Sequence, residues 1–330
     1  MARDPAPGGV EPDKMAVMGI LGFLRGHLAR PEGVVLALGG GGARGLAHVG
    51  VLQVIEEAGV KVAGIAGTSA GAVVGAMWLT LGSAAAVAQR WQEFLARGLM
   101  PRLPDVRLTE TVTSRDNLLL QFARRLKRSA VVALALERTS LVTHEELEKR
   151  LAFLLPDQPI ERMRIPFAAV ATDFATGRPV SLRRGRLIPA VAASSAVPAV
   201  VLPYVIDGRA LTDGGTVADV PVAQAKELAP RPVVAVATGE NWQEDDPEAI
   251  AIPRAMVRGA NMTHQTLREL QLQDADLSLA PDVGTLHWSE FHRYDEAVAA
   301  GRAAAERAVH RMRALALRRR TWVESEGAEA

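Results

Sequence analysis

The chain has 330 residues, a formal net charge of +1 and no cysteine. The lack of thiols excludes cysteine nucleophiles, disulfides and zinc–thiolate sites, and suits a reducing compartment. The near-balanced charge argues against a nucleic-acid surface as the main business of the molecule, and no apolar run approaches the roughly 18 residues of a membrane span.

Hydrophobic residues make up 48% of the chain but aromatics only 4%. The core must therefore come from Ala, Val and Leu, which suits helices lying close on a parallel sheet. In chain order, residues 1–30 read as a disordered tail rich in Pro and Gly over 1–13 and a short amphipathic helix at 15–29. That helix either packs on the domain or touches a membrane, and its few charges favour packing. One main domain is placed at 31–320, with a second tail at 321–330. Val34–Leu38 reads as a buried strand. Leu46, Val49, Leu52 and Ile55 then repeat at helical spacing, with Gly59 as a C-cap. A second strand is expected at 62–66, and Ala70–Leu81 as a helix of small residues that stops at Gly82. The stretch 83–160 is mostly helical, broken by Pro101 and Pro104, and reads as an insertion; it carries a basic segment at 115–128. Within it, Thr143-His144-Glu145-Glu146 is a capping box that opens a helix ending near Leu155. Strand signals return at 165–171 and 180–182, followed by a small-residue segment at 190–197. Segments 201–206 and 209–211 form a hairpin about Asp207-Gly208. Further strands are expected at 233–237 and 275–279. The remainder is helical and ends in Arg318-Arg319-Arg320.

Two glycine-bracketed turns carry the chemistry. Gly67-Thr68-Ser69-Ala70-Gly71 lies between a strand and a small-residue helix, the setting of a G-x-S-x-G turn that lifts a serine hydroxyl clear of the backbone. Gly39-Gly40-Gly41-Gly42-Ala43-Arg44-Gly45 follows the first strand, and its bare N–H groups suit an anion at a helix start. A dinucleotide site would need an acidic residue near the end of the next strand, and that strand runs into Ala66-Gly67-Thr68-Ser69 with no carboxylate. A P-loop would need Gly-Lys-Ser/Thr, which is absent. A nucleophile and an oxyanion site one βα unit apart point to acyl transfer, with the N–H of Ala70 as a further oxyanion donor. The base is less clear from the residues alone. His264, His287, His292 and His310 fall on helical or surface segments, and His48 lies inside the helix after Gly45. Asp213, before Gly214-Gly215, reads either as a plain turn or as a carboxylate base at a loop tip.

These motifs, in this order, resemble the patatin-like phospholipase family, with Ala193-Ser194-Ser195-Ala196-Val197-Pro198 and Ala171-Thr172-Asp173-Phe174-Ala175-Thr176-Gly177 as reinforcement over roughly 34–225. The resemblance implies an α/β fold, a three-layer α/β/α sandwich on a mostly parallel sheet, with the helical insertion noted above. It implies a carboxylic ester hydrolase with Ser69 as nucleophile and Asp213 as base. Gly40, Gly41, Gly42 and Arg44 would shape the oxyanion hole, with Gly45, Gly67, Gly71, Gly214 and Gly215 as supports. The substrate would be a lipid acyl ester, and neither metal nor cofactor is implied. An acyltransferase on the same dyad, or a weakly active lipid-binding member, would use the same residues. Bacterial members often follow Asp-Gly-Gly with two residues and Asn-Pro; here Thr216-Val217 lead to Ala218-Asp219, although Pro221 is in place. A cytoplasmic protein is expected. Residues 15–24, 115–136 and the arginine-rich C-terminus are the candidates for peripheral membrane contact.

Overall fold

The computed structural model describes residues 33–100, 141–239 and 252–317. The two expected tails, the 15–29 helix, the basic 115–136 stretch and Arg318–Arg320 lie outside them. The frame is an eight-stranded sheet: β1 (Val34–Leu38), β2 (Val62–Thr68), β3 (Phe167–Asp173), β4 (Pro179–Leu182), β5 (Tyr204–Ile206), β6 (Arg209–Asp213), β7 (Val233–Val236) and β8 (Leu277–Leu279). β1 is central and parallel to β2 and β7; β3 and β8 extend the parallel order on either side. β4 and β6 run antiparallel to β3, and β5 closes a hairpin with β6. The helices are α1 (Ala47–Glu57), α2 (Ala70–Leu81), α3 (Ala84–Ala96), α4 (His144–Leu154), α5 (Leu187–Ser194), α6 (Val222–Lys226), α7 (Ile252–Gln273) and α8 (Tyr294–Ala316).

The period-two alternation of β1 divides the molecule into layers. Val34, Leu36 and Leu38 enter the larger core with residues of α1, α2, α5 and α8, whereas Val35 and Ala37 pack with Val222 and Ala225 of α6 and with Leu272 of α7. Helices thus cover both faces, a three-layer α/β/α sandwich, and a strand buried on both faces needs no polar residue. The small-residue composition has a direct use where α1 crosses α8. A Cβ on Gly50 would fall 2.0 Å from the Val298 carbonyl oxygen, and one on Gly301 would fall 1.8 Å from that of Ala47.

Several boundaries follow the expected signals. The Thr143–Glu146 capping box opens α4, Gly59 and Gly82 end α1 and α2, and Asp207 and Gly208 turn with φ of 50° and 75°. Others shift. β5 begins only at Tyr204 because Pro203 cannot donate to the ladder. Residues 190–194 of the 190–197 segment are the end of α5, which starts at Leu187 and takes Pro189 in its first turn, and 195–197 lie beyond it. The glycine turn passes through a 3-10 turn, Gly42–Leu46, before α1 begins. No single helix among the described residues is long and apolar enough to cross a membrane.

Candidate active site

Ser69 joins β2 to α2 with φ 51° and ψ −120°. Such a conformation costs a non-glycine residue on the order of 1–3 kcal/mol and persists only where the surroundings impose it. Here they do. The Ser69 N–H donates to Ser194 Oγ at 3.0 Å, and the Ser194 hydroxyl donates in turn to the Val170 carbonyl at 2.6 Å. On the other side, the Ser69 carbonyl accepts the first α2 hydrogen bond, from Val73 N–H at 3.0 Å. The glycines around it allow two turns to interlock. A Cβ on Gly71 would lie 2.2 Å from the Leu38 carbonyl oxygen at the end of β1, and one on Gly45 would lie 2.4 Å from Ala70 Cβ. The glycine turn and the serine elbow are therefore pressed backbone to backbone.

β3 acts as a ruler for the pair. Thr68, the last residue of β2, registers with Val170 in parallel, and Asp213, the last residue of β6, registers with Ala171 in antiparallel. β4 occupies the opposite edge of β3 over Ala169–Thr172, so β2 and β6 must share one edge. They approach end to end, and Ser69 and Asp213 emerge where they meet. Gly214 is wedged at this junction: a Cβ there would fall 2.1 Å from the Val170 carbonyl oxygen and 3.1 Å from Thr68 Cγ2. The Asp213 backbone is pinned as well. Its N–H donates to the Ala196 carbonyl at 2.9 Å, and its carbonyl accepts from Thr172 Oγ1 at 3.0 Å.

The Asp213 side chain is 6% exposed. Oδ1 accepts the Gly215 N–H at 2.7 Å, and Oδ2 is buried with no formed hydrogen bond. Burial pushes the carboxyl pKa up to about 7; the Gly215 N–H and the nearby Ser69 hydroxyl pull it down, and the Asp219 charge adds a small upward push. A carboxyl poised near neutrality and close to a serine hydroxyl suits general-base work.

The donors of the glycine turn are unequal. The Gly40 N–H already donates to the Asp219 carbonyl at 3.0 Å, and the Arg44 N–H donates to the Gly41 carbonyl at 3.2 Å. Both backbone N–H groups are thus taken up within the protein. The N–H groups of Gly41, Gly42 and Ala70 donate to no carbonyl among the described residues. The Trp288 carbonyl holds the Ala43 N–H at 2.7 Å and so fixes the turn from outside. None of the histidines hydrogen-bonds Ser69 or Asp213 among the described residues. His48 is fully buried with Nε2 2.8 Å from the Gly39 carbonyl oxygen, and burial pushes its pKa down to about 4. No group of His, Asp and Glu residues that could hold a metal ion occurs among the described residues. Two open depressions beside β4, lined by residues such as Arg183, include neither Ser69 nor Asp213.

Ser194 and Thr172 lie within the reinforcing motifs, but no local pattern marks either as a support of the site. Arg268, which binds Asp219 Oδ2 through Nε at 2.6 Å, carries no motif at all.

A strained serine elbow, a buried aspartate and a glycine turn thus meet at one end of the sheet of a three-layer sandwich. Residues 36–226 match the family model of patatin-like phospholipase, and the chain belongs to that family. It is 36% identical over 190 residues to an uncharacterized NTE family protein of Mycobacterium tuberculosis, covering 58% of this chain and 44% of that protein. It is 29% identical over 214 residues to the human patatin-like phospholipase domain-containing protein 6, covering 64% of this chain and 14% of that one. With lysophospholipase nte1 of Aspergillus fumigatus the identity is 30% over 207 residues, covering 62% and 12%. The chain thus matches less than half the length of these relatives. VipD of Legionella pneumophila superposes with a TM-score of 0.42 and 14% identity, covering 86% of this chain and 68% of that one.

Proposed function

We propose that the chain is a serine lipid acyl hydrolase of the phospholipase A or lysophospholipase type. The observation that carries the reading is the strained Ser69 elbow facing a buried, partly unsatisfied Asp213 carboxyl, with no histidine hydrogen-bonded to either among the described residues. Ser69 Oγ attacks the ester carbonyl while its proton passes to Asp213. The oxyanion is received by the N–H groups of Ala70 and of the Gly41-Gly42 turn. The carbonyl–oxygen bond to the alcohol breaks, and Asp213 returns the proton to the leaving alkoxide. Asp213 then takes a proton from water, which attacks the acyl-Ser69 ester. Collapse of this second intermediate breaks the bond to Ser69 Oγ and releases a carboxylic acid, while Asp213 gives its proton back to the serine oxygen.

Family membership and the printed name of the Aspergillus relative support a lipid ester as substrate. A cytoplasmic enzyme that visits a membrane surface fits such a substrate.

Hydrolysis of phospholipid, lysophospholipid, glyceride and p-nitrophenyl esters by wild type, Ser69→Ala and Asp213→Asn tests the proposal. Both variants are expected to lose at least about 10²-fold in kcat on every ester the wild type cleaves. Full activity in Ser69→Ala would overturn it. Adding an alcohol acceptor to the same assay measures how the acyl-enzyme divides between water and alcohol; mostly transesterified product would redefine the enzyme as an acyltransferase.

A further inference from the structure

The segment after Asp213 is built around a second, buried carboxylate. Asp219 is 9% exposed. Its carbonyl accepts the Gly40 N–H, and its Oδ2 accepts from Arg268 Nε at 2.6 Å. Its Oδ1 lies between the catalytic turns: Cβ atoms on Gly40 and Gly215 would meet it at 3.1 and 3.8 Å. Arg268 sits on α7, beyond the residues that match the family. Its guanidinium passes against Gly239, where a Cβ would fall 1.9 Å from Nη1. On the same helix, Gln271 Oε1 accepts the Val220 N–H at 3.0 Å and Nε2 donates to the Val217 carbonyl at 2.9 Å. Two α7 side chains therefore grip the 217–220 segment on both sides of the Asp219 carbonyl.

We propose that Arg268 is a positioning residue for the Ser69–Asp213 pair: through Asp219 it fixes the segment that holds Gly40, and it balances the negative charge that Asp219 brings to the site. The inference rests on the roles given to Ser69 and Asp213 above. A carboxylate at this depth is costly unless paired. With the guanidinium gone, the Asp219 charge acts uncompensated on Asp213 and disfavours its ionisation; with Asp219 neutralised, the guanidinium favours it. The other charged or titratable groups here are few. His48 on α1 stays neutral well above pH 4. Arg44 belongs to the glycine turn, and the Asp173 carboxylate caps its own turn through the Ala175 and Thr176 N–H groups.

The test is the pH dependence of kcat/KM on a p-nitrophenyl ester for wild type, Arg268→Gln, Arg268→Lys, Asp219→Asn and the double variant Asp219→Asn/Arg268→Gln, from about pH 5 to about pH 9. Arg268→Gln is expected to move the midpoint up by roughly half a unit or more, so that activity falls several-fold more on the acid side than on the alkaline side. Asp219→Asn is expected to move it down. Arg268→Lys returns it toward wild type, and the double variant lies between the two single variants. If Arg268→Gln does not fold, the double variant against Asp219→Asn makes the same comparison, with no unpaired buried carboxylate. Midpoints that stay fixed while all rates fall together, or that shift in one direction for both charges, would overturn the proposal. Fluorophosphonate labelling of Ser69 in the wild type separates the two failures. A labelled wild type with immobile midpoints sinks only the Arg268 inference, whereas an unlabelled wild type removes the catalytic reading beneath it.

Discussion

Asp213 carries two pH effects of opposite sense. As the proposed base it must be ionised, so kcat/KM is expected to rise with pH through about 7. Its effect on folding runs the other way. The folded pKa is raised from the ordinary 3.8 to about 7 by burial, so the folded state favours the proton. The stabilisation this represents is fully present below about pH 4 and is lost as pH rises through about 7, an effect of up to about 4 kcal/mol. Asp213→Asn removes the buried charge and can still accept the Gly215 N–H. It is therefore expected to unfold at higher temperature than wild type at about pH 8, with the gap closing toward pH 5, while its activity is lost. Thermal unfolding at the two pH values checks this; a variant less stable than wild type at the alkaline end would show that the carboxylate is better solvated than its burial indicates. Ser194 gives a second prediction. Ser194→Ala removes the acceptor for the Ser69 N–H and is expected to lower kcat by about tenfold or more, with thermal stability falling by about 1–3 kcal/mol. Unchanged kcat would mean that the elbow holds without it.

Among the elements, identical substitutions are expected to act with opposite sign. Gly301→Ala in α8 would drive a Cβ into the Ala47 carbonyl at 1.8 Å, whereas a Cβ on Gly259 in α7 meets nothing within 4 Å. Gly301→Ala should destabilise the protein by more than about 3 kcal/mol. Gly259→Ala should stabilise it by about 0.5–1 kcal/mol, the helix-propensity gain. Denaturant midpoints measure both, and a neutral Gly301→Ala would show that α1 and α8 can separate freely. Gly45, Gly67 and Gly71 were legible in the sequence as motif letters, because each belongs to a glycine-bracketed turn between a strand and a helix. Gly50 and Gly301 were not, since a helix–helix approach leaves no local pattern. Element boundaries were readable where a cap or turn residue marks them, as at Thr143 or Asp207-Gly208, and not where a proline trims a strand, as at Pro203.

For the whole molecule, the site depends on pairings far apart in the chain. The order of Ser69 and Asp213 could be read from their glycines, but the placement of β2 and β6 end to end on one edge of β3 exists only once the strands register. The same holds for Asp219. Its carboxylate was visible in the sequence beside Asp213, whereas its partner Arg268 comes from a helix with no motif. Nor does any local pattern show that the Asp219 carbonyl takes the Gly40 N–H. The sheet and its two cores thus follow from composition and alternation, and the fine geometry of the site follows from the assembled sheet. We propose Ser69 as a nucleophile activated by Asp213 alone. This is tested most directly by reacting the protein with a fluorophosphonate and mapping the adduct by peptide mass spectrometry. A single adduct on Ser69 is expected, absent in Ser69→Ala and formed at least about 10²-fold more slowly in Asp213→Asn. An adduct elsewhere, or labelling of Ser69 at an undiminished rate without the Asp213 carboxylate, would contradict it.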